Sequence, residues 1–323
     1  DHRDLHSFPT RRSSDLSYFE EIFPKGWDIE RIRSCVSNPP ESYGAAQPFW
    51  NAGFCPVPCD SLDEFAVFMG HEMAMQIKLS REEGRDLIMI LPVGPMGMYK
   101  WAVYFLKEWN VSCSHVHTFN MDEWSDATGS TLSPEDPAAF QKAMLAAFFA
   151  PLGDLTVPPN HRNFATPDNL PTYADKIAAL RARGAKQVLV YGIGRMCHIA
   201  FWEPHFAEEV SSDEEWMQST HRLGARLHPL TIEQNAITSF RSAWPLIPCY
   251  ANTVGPKLLF SSDYAIGGAD GVLSRNMQWQ GMSFWMTLRY GPTRFDTSSY
   301  IPTLPGKLFF MKELAGPLCA DTN

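Results

Sequence analysis

The stretch at residues 187–204, QVLVYGIGRMCHIAFWEP, constrains the fold more than any other part of the chain. Its first five residues, 187–191, are a short run with β-branched residues, which is typical of a fully buried parallel strand. The run ends at Gly192-Ile193-Gly194, where missing side chains let the backbone turn sharply and lie close to a ligand. The pattern therefore predicts a buried parallel strand that ends in a tight turn.

Two titratable residues, His198 and Glu203, follow this turn and lie five positions apart. In open α/β sheets, ligands bind just beyond the carboxyl ends of the strands. A histidine and a carboxylate at that place can act together on a substrate as acid and base. The alternative is that His198 is a packed histidine and Glu203 an acid at the start of a helix. Spacing alone leaves both interpretations open.

The chain from about residue 62 onward alternates predicted strands with helical stripes of apolar residues. Ser61-Leu-Asp-Glu64 has the pattern of a capping box, which begins the first helix of the series. Apolar spacing predicts helices around 62–79, 99–106, 140–148 and 173–180. Buried strands are predicted at 87–91, 115–120, 187–191 and 264–266. The alternation predicts an α/β fold, a doubly wound and mostly parallel sheet with helices on both faces.

We expect one domain with an N-terminal arm. Residues 17–60 are rich in Pro, Trp and Phe without clean periodicity, which predicts an irregular arm with one short helix. Residues 61–323 would form a single α/β domain. Residues 1–16, DHRDLHSFPTRRSSDL, resemble a translated sequencing-adapter sequence and are excluded from the fold. The acidic segment 207–218 is expected to be a surface loop.

Composition and charge argue against several classes of protein. Of the 323 residues, 45% are hydrophobic and the net charge is −9, which supports a sizeable core and disfavours a nucleic-acid surface. No apolar run approaches the ~20 residues that span a bilayer, so we expect no membrane association. The seven cysteines include no CxxC pair, and no secretory segment is evident, so the expected location is the cytoplasm. We expect neither a metal ion nor a cofactor.

Two stretches carry a resemblance to a known family. The run His198-Ile-Ala-Phe-Trp-Glu203-Pro204 is similar to GGxGxDGHIAFNEP, and Thr118-Phe-Asn-Met-Asp122-Glu123-Trp124 is similar to TFNMDEY. Both are signatures of the glucosamine-6-phosphate deaminase/isomerase family, and they occur in the family's order. A weaker resemblance extends from about residue 62 to about residue 271. The chain is thereby identified as a divergent member.

Three departures from the family pattern lie in the first of these signatures. Met196 stands where the family has an aspartate, Cys197 where it has a glycine, and Trp202 where it has an asparagine. The family's aspartate serves the same histidine as the glutamate does. A thioether cannot replace it, because sulfur in methionine neither accepts a proton nor stabilises an imidazolium.

The resemblance implies a sugar-phosphate isomerase type of fold and three catalytic residues. Asp122 would be the base that takes the C2 proton, and His198 the acid and base that opens the sugar ring. Glu203 would orient the imidazole through one of its ring nitrogens. The implied activity is aldose–ketose isomerisation, with ammonia release, of glucosamine-6-phosphate or a related amino-sugar phosphate.

The resemblance also implies a set of substrate contacts. The turn Leu91-Pro-Val-Gly-Pro-Met-Gly-Met98 resembles the family's phosphate loop, LPTGSTPLG, without its hydroxyl residues; a plain strand-to-helix turn is the alternative. The family's phosphate-contacting arginine corresponds to either Arg222 or Arg226, and its lysine in the turn 267–271 has no counterpart. Arg195 is a candidate replacement, with an exposed loop arginine as the alternative. The candidate contacts are Gly94, Gly97, Glu123, Gly194, Arg195, Arg222 and Arg226.

Two other functions stay open at this point. A hydrolase of the 6-phosphogluconolactonase type shares the superfamily fold, although that branch usually has GHTAS where this chain has His198-Ile-Ala-Phe. A sugar-phosphate-binding or regulatory protein without turnover is favoured by Met196 and by the lost hydroxyl residues. The expected partner is a small-molecule sugar phosphate, and the aromatic remainder 279–310 is compatible with a homo-oligomer.

Overall fold

The computed structural model describes residues 22–274, 277–316 and 318, so the adapter-like segment 1–16 lies outside the described residues. Within them the chain forms nine α-helices and twelve β-strands. The helices are α1 (Ile29–Val36), α2 (Leu62–Glu82), α3 (Gly97–Glu108), α4 (Phe140–Met144), α5 (Tyr173–Ala182), α6 (Asp213–Met217), α7 (Pro229–Thr238), α8 (Pro256–Phe260) and α9 (Gly281–Arg289). The strands are β1 (Phe54–Cys59), β2 (Leu87–Leu91), β3 (Val116–Asn120), β4 (Asp122–Ser125), β5 (Arg162–Asn163), β6 (Lys186–Gly192), β7 (His221–Arg226), β8 (Tyr250–Val254), β9 (Tyr264–Ala269), β10 (Val272–Ser274), β11 (Met277–Gln278) and β12 (Gly306–Met311).

Seven of these strands form one parallel sheet in the order β1-β12-β9-β6-β2-β3-β5. Strand β2, which lies beside the central strand β6, is buried along its whole length, as the unbroken apolar run at 87–91 predicts. Strand order reverses between β2 and β6, because β3 and β5 lie on one side of this pair and β9 and β12 on the other. With helices packed around the sheet, this confirms the predicted doubly wound α/β fold.

Helix α2 shows how the predicted local signals form an element. Its cap is present, since the Ser61 hydroxyl accepts a hydrogen bond from the Glu64 amide at 3.1 Å. The helix ends at Glu82, three residues beyond the predicted end at Leu79. Its apolar stripe is buried against the sheet and α3, except for Phe68, which lies at the margin of the stripe and is 39% exposed. No helix of the described chain is both long and apolar enough to cross a membrane.

Two segments are more regular than the sequence predicts. Phe54–Cys59, placed in the irregular arm, is the edge strand β1 and pairs with β12, so the sheet begins before the predicted boundary at residue 61. Its two prolines are tolerated because an edge strand has a neighbour on one side only. The prediction of a simple surface loop at 207–218 is wrong. This segment contains α6, whose Trp216 is fully buried and stacks on Tyr300 at 5.2 Å.

A second, antiparallel sheet in the order β4-β8-β7 begins where β3 ends. Met121 joins the two sheets: its amide donates to the Leu91 carbonyl at 2.9 Å, and its carbonyl accepts from the Val254 amide at 2.8 Å. The next residue, Asp122, pairs with Thr253 of β8. The sequence does not predict this small sheet. Its effect is to fix Asp122 at the carboxyl edge of the parallel sheet.

Candidate active site

A cavity of about 350 Å³ lies at the carboxyl edge of the parallel sheet. Its wall comes from the ends of four adjacent strands, β9, β6, β2 and β3, and from helix α7. The strand order reverses between β2 and β6, so the cavity occupies the switch point at which open α/β sheets bind ligands. The lining residues are Pro92, Val93, Gly94, Pro95, Met96, Met121, Asp122, Phe140, Gly192, Ile193, His198, Ala200, Phe201, Gln234, Asn235, Thr238, Ser239, Gly268, Asp270, Trp279 and Gln280.

His198 is held through one of its two ring nitrogens. Nδ1 lies 3.3 Å from Glu203 Oε2 and 3.3 Å from Thr231 Oγ1. The imidazole is only 4% exposed, and Nε2 makes no hydrogen bond to any described residue. Gly194 packs against this free edge of the ring, and a Cβ there would lie 1.9 Å from Nε2, so a side chain would displace the imidazole. His198 lines the cavity, and Nε2 is its ring nitrogen without a partner among the described residues.

Glu203 is a fully buried carboxylate that stays charged. Burial raises its pKa, but the neighbouring His198 and the hydrogen bonds from His198 and Thr231 together outweigh burial and hold the pKa below its usual value. Its second oxygen, Oε1, accepts a hydrogen bond from the His228 amide at 3.1 Å. A buried carboxylate with both oxygens engaged has a fixed orientation, so it fixes the imidazole in turn.

Asp122 has the opposite environment. It is 7% exposed, lines the cavity, and its carboxylate accepts no hydrogen bond from the described residues. Burial, followed by the negative charge of Glu123, raises the pKa of Asp122 well above its usual value. A carboxylate with a raised pKa is a stronger base than an ordinary aspartate, which suits it to proton transfer at carbon.

Glu123 lies behind the cavity wall and does not line the cavity. Its Oε1 accepts hydrogen bonds from the amides of Trp124 and Phe140, both at 2.9 Å, and its Oε2 accepts one from Gln141 at 2.8 Å. Two of these amides belong to the first turn of α4, so the carboxylate caps that helix. The residue that reaches the cavity is Phe140, which Glu123 holds in place.

The glycines predicted as substrate contacts divide into two groups. Gly94 lines the cavity and has φ = +125°, a backbone conformation that side-chain-bearing residues rarely adopt. Gly97 begins α3 and Gly194 packs on His198, and neither of them lines the cavity.

The three predicted arginine contacts all lie outside the cavity lining. Arg195 forms an ion pair with Glu233, and its amide donates to Gln234 Oε1 at 2.7 Å. Arg222 forms an ion pair with Glu209 and stacks over the Phe206 ring at 4.1 Å. Arg226, at the end of β7, is exposed. Two of these three guanidinium groups therefore form ion pairs with glutamates of the same chain.

Helix α7 supplies polar wall residues that the sequence analysis missed. Gln234, Asn235 and Thr238 line the cavity from this helix, and Thr231 contacts His198 from the same side. The spacing i, i+3, i+4, i+7 places all four on one face of a helix. In the sequence, this polar stripe at helical spacing could have indicated a polar helix face at the site.

Asp270 is the second missed group, and it directly follows β9. Burial raises its pKa to about 6. The turn beside it is fixed by Gln280, whose Oε1 accepts from the Gly271 amide at 2.8 Å and whose Nε2 donates to the Ile193 carbonyl. A carboxylate at the carboxyl end of a buried strand was the signal for it.

The described residues contain no group of three or more His, Cys, Asp or Glu side chains that could hold a metal ion. Of the three predicted catalytic residues, the structure places Asp122 and His198 at the cavity and Glu203 behind His198.

Comparison with known proteins places this geometry in context. No family model matches the chain. Over 147 residues, the chain is 29% identical to the glucosamine-6-phosphate deaminase of Caenorhabditis elegans, an alignment that covers 45% of this chain and 53% of that protein. The chain spans about half the length of the first curated relatives that it matches.

Two solved structures share the fold. A monomeric glucosamine-6-phosphate deaminase superposes with a TM-score of 0.64 at 20% identity, covering 81% of this chain and 98% of the other. The 6-phosphogluconolactonase of Trypanosoma cruzi gives a TM-score of 0.57 at 16% identity, with 82% and 97% covered. The likeness confirms the sugar-phosphate isomerase type of fold that the sequence predicts.

Proposed function

We propose that this chain, a divergent member of the glucosamine-6-phosphate deaminase/isomerase family, catalyses proton transfer at C2 of an amino sugar and the isomerisation and ammonia release that follow from it. The observation that carries the proposal is that Asp122 and His198 line one cavity, with the imidazole fixed by the buried Glu203. One carboxyl group with a raised pKa and one oriented imidazole are the groups that this chemistry requires. The named activity of the C. elegans relative supports the same reaction.

His198 opens the sugar ring. Its Nε2 accepts the proton of the C1 hydroxyl and returns a proton to the ring oxygen, so the C1–O bond to the ring breaks and an open-chain aldehyde forms. Glu203 holds the other ring nitrogen throughout and stabilises the imidazolium that forms transiently. The free position of Nε2 supports this role, because the bonds of Nδ1 to Glu203 and Thr231 leave only that nitrogen for a ligand.

Asp122 takes the proton from C2 of the open-chain sugar. The C1 carbonyl oxygen gains a proton, which gives an enolamine when C2 carries an amino group. Return of a proton to C1 produces an iminium at C2, and water hydrolyses it to the ketose and ammonia. Burial favours the transfer because it raises the pKa of Asp122 and so makes its carboxylate a stronger base.

Thr231 supplies part of the contact that the family's aspartate, at the position of Met196, makes with the histidine. Met196 is 2% exposed and belongs to the apolar core, so it offers His198 no charge. The Thr231 hydroxyl lies at hydrogen-bond distance from Nδ1 and gives that nitrogen a second, neutral partner. We therefore expect slower ring opening than two carboxylates would give, while proton transfer by Asp122 is affected less.

Ester hydrolysis of the lactonase type is the second candidate, and one observation favours it. A histidine held by a carboxylate can activate water without Asp122, and a 6-phosphogluconolactonase shares the fold. The two reactions differ in their need for Asp122, because only isomerisation removes a proton from C2.

Hydrogen exchange at C2 tests the proposal. Protein in heavy water is incubated in turn with glucosamine and with glucosamine 6-phosphate, and deuterium at C2 is followed by NMR. Wild type should incorporate deuterium into at least one of them. Asp122→Asn, which is nearly isosteric, should reduce the rate by ~10²–10⁴-fold.

Asp168→Asn is the matched control, because Asp168 is an exposed aspartate outside the cavity lining. Its exchange rate should equal that of wild type. Exchange at the wild-type rate in Asp122→Asn would refute the role of Asp122. Lactone hydrolysis without any C2 exchange would favour the second candidate.

A further inference from the structure

The cavity has an unusual charge for a site in this family. Among the described lining residues, the ionisable side chains are Asp122, His198 and Asp270, and no lysine or arginine is present. Two of the arginines implied as phosphate contacts are engaged elsewhere, since Arg195 pairs with Glu233 and Arg222 pairs with Glu209. Arg241, two residues beyond Ser239, is exposed and lies outside the lining. A phosphate group carries a charge of about −1.5 to −2 near pH 7 and is normally bound by arginine, lysine or convergent amides.

The loop after β2 offers little in place of these cations. Residues 92–96 contain two prolines, which have no amide hydrogen, and no hydroxyl or basic side chain. Helix α3 follows with Met96 as an N-cap residue that provides no side-chain hydrogen bond. The positive end of a helix dipole amounts to roughly half a charge, which does not compensate for a full carboxylate on the same wall.

Asp270 supplies that carboxylate. It stands directly after β9, two residues beyond Gly268, which lines the same cavity. The hydrogen bonds of Gln280 to Gly271 and Ile193 tie its turn to the end of β6. The turn that carries the Asp270 carboxylate is therefore fixed beside the end of β6. This carboxylate repels an anionic ligand and attracts an ammonium group.

The remaining polar wall is uncharged. Helix α7 contributes two amide side chains, Gln234 and Asn235, and a hydroxyl, Thr238, while Trp279 adds an indole ring. Amides and hydroxyls satisfy the hydroxyl groups of a sugar, and an aromatic face covers the apolar face of a sugar ring. Each of these contacts is available to a sugar that bears no phosphate.

We propose that the cavity takes an unphosphorylated amino sugar, and that Asp270 selects ligands with an ammonium group over ligands with a phosphate group. This inference rests on the proposed function, because it names the substrate class of the same site. It departs from the sugar phosphate that the sequence resemblance implies, because the fold places Asp270 and the α7 face on one cavity.

Calorimetry of the full chain tests the selection without requiring turnover. Glucosamine and glucosamine 6-phosphate are titrated at pH 7.5 into Asp122→Asn, which keeps the bound sugar unreacted. We expect glucosamine to bind at least tenfold more tightly than its 6-phosphate. In the double variant Asp122→Asn/Asp270→Asn, the ratio of the affinity for glucosamine to the affinity for its 6-phosphate should fall at least tenfold. In the control double variant Asp122→Asn/Asp168→Asn, the ratio of the two affinities should stay unchanged.

Two results would overturn the inference: tighter binding of the 6-phosphate, or no binding of glucosamine by a folded protein. Arg275 lies outside the described residues, and Arg275→Ala shows whether that residue provides a phosphate site. Loss of tight 6-phosphate binding in this variant would likewise overturn the inference. Selective binding of glucosamine without C2 exchange would leave this inference standing and refute the proposed function.

Discussion

The acid–base group and the loop–turn wall of the cavity follow different principles. The acid–base group, Asp122, His198 and Glu203, keeps a histidine, an oriented carboxylate and a buried base. The loop–turn wall, residues 92–96 with Asp270, has no cation and carries a carboxylate. Proton transfer needs several groups in a fixed mutual geometry, so the loss of one member lowers the rate. The charge preference for a ligand depends on one or two side chains, so it can reverse while the chemistry stays.

The carboxylates of the site also differ from one another in their hydrogen-bond partners and in the direction of their pKa shifts. Glu203 has partners for both oxygens and a lowered pKa. Asp122 and Asp270 face the cavity, and burial raises the pKa of each. Glu203 thus stays charged beside the imidazole, whereas Asp122 and Asp270 hold a proton more readily than an ordinary aspartate does.

The largest effect is expected at His198. His198→Ala should lower the rate of sugar isomerisation by ~10²–10⁴-fold, because ring opening loses its acid and base. Exchange at C2 measured from an open-chain analogue should fall much less, since Asp122 remains. The comparison of the two substrates by NMR checks this. An equal loss with both would mean that His198 does not act in ring opening.

The pairing of Glu203 should appear in protein stability. Glu203→Ala removes a buried carboxylate that engages His198 and the His228 amide, and we expect a loss of about 3 kcal/mol in the free energy of unfolding. Arg222→Ala breaks a partly exposed ion pair with Glu209 and should cost at most about 1 kcal/mol. Urea unfolding of both variants measures the difference. Equal losses of unfolding free energy in the two variants would contradict the expectation that the buried His198–Glu203 pair contributes more than the partly exposed Arg222–Glu209 pair.

Asp296 differs from Glu203 because it forms no ion pair with any described residue. It is fully buried, Oδ1 accepts from Ser298 Oγ at 2.8 Å, Oδ2 has no partner in the described residues, and burial raises its pKa to about 7. Between its ordinary pKa of 3.8 and about 7 the folded protein holds a proton that the unfolded chain has lost. This group therefore contributes stability that is lost as the pH rises, by about 1.4 kcal/mol per unit in that range.

Asp296→Asn should remove this contribution, so the difference in unfolding free energy between variant and wild type should grow in the variant's favour from pH 5 to pH 7. Urea unfolding at a series of pH values measures it. Glu203, whose pKa is lowered, has the opposite sign, and its contribution is lost as the pH falls. A pH-independent difference would show that Asp296 does not titrate in this range.

The sequence predicted those parts of the fold that depend on local composition. The unbroken apolar run at 87–91 matches β2, and the run at 187–191 lies within β6, because a strand buried on both faces must be apolar throughout. The pairing of His198 with Glu203 was also accessible, since they lie five positions apart in one loop. Met196, as the sequence indicates, brings no charge to the histidine.

The parts that escaped prediction depend on distant segments of the chain. Thr231 reaches His198 across 33 residues, and Glu123 binds the amides of residues 17 and 18 positions further along. Arg195 and Arg222 looked available for a ligand in the sequence, whereas each finds a glutamate in the fold. Asp270 stands at the end of a strand whose place beside β6 is a property of the sheet order.

The most direct test of the account is one NMR experiment in heavy water with an equimolar mixture of glucosamine and glucosamine 6-phosphate. Deuterium at C2 of each sugar reports both the chemistry and the selection. The account predicts incorporation into glucosamine by wild type, little into the 6-phosphate, and neither by Asp122→Asn. Incorporation into the 6-phosphate in preference to glucosamine, or incorporation that survives Asp122→Asn, would contradict it.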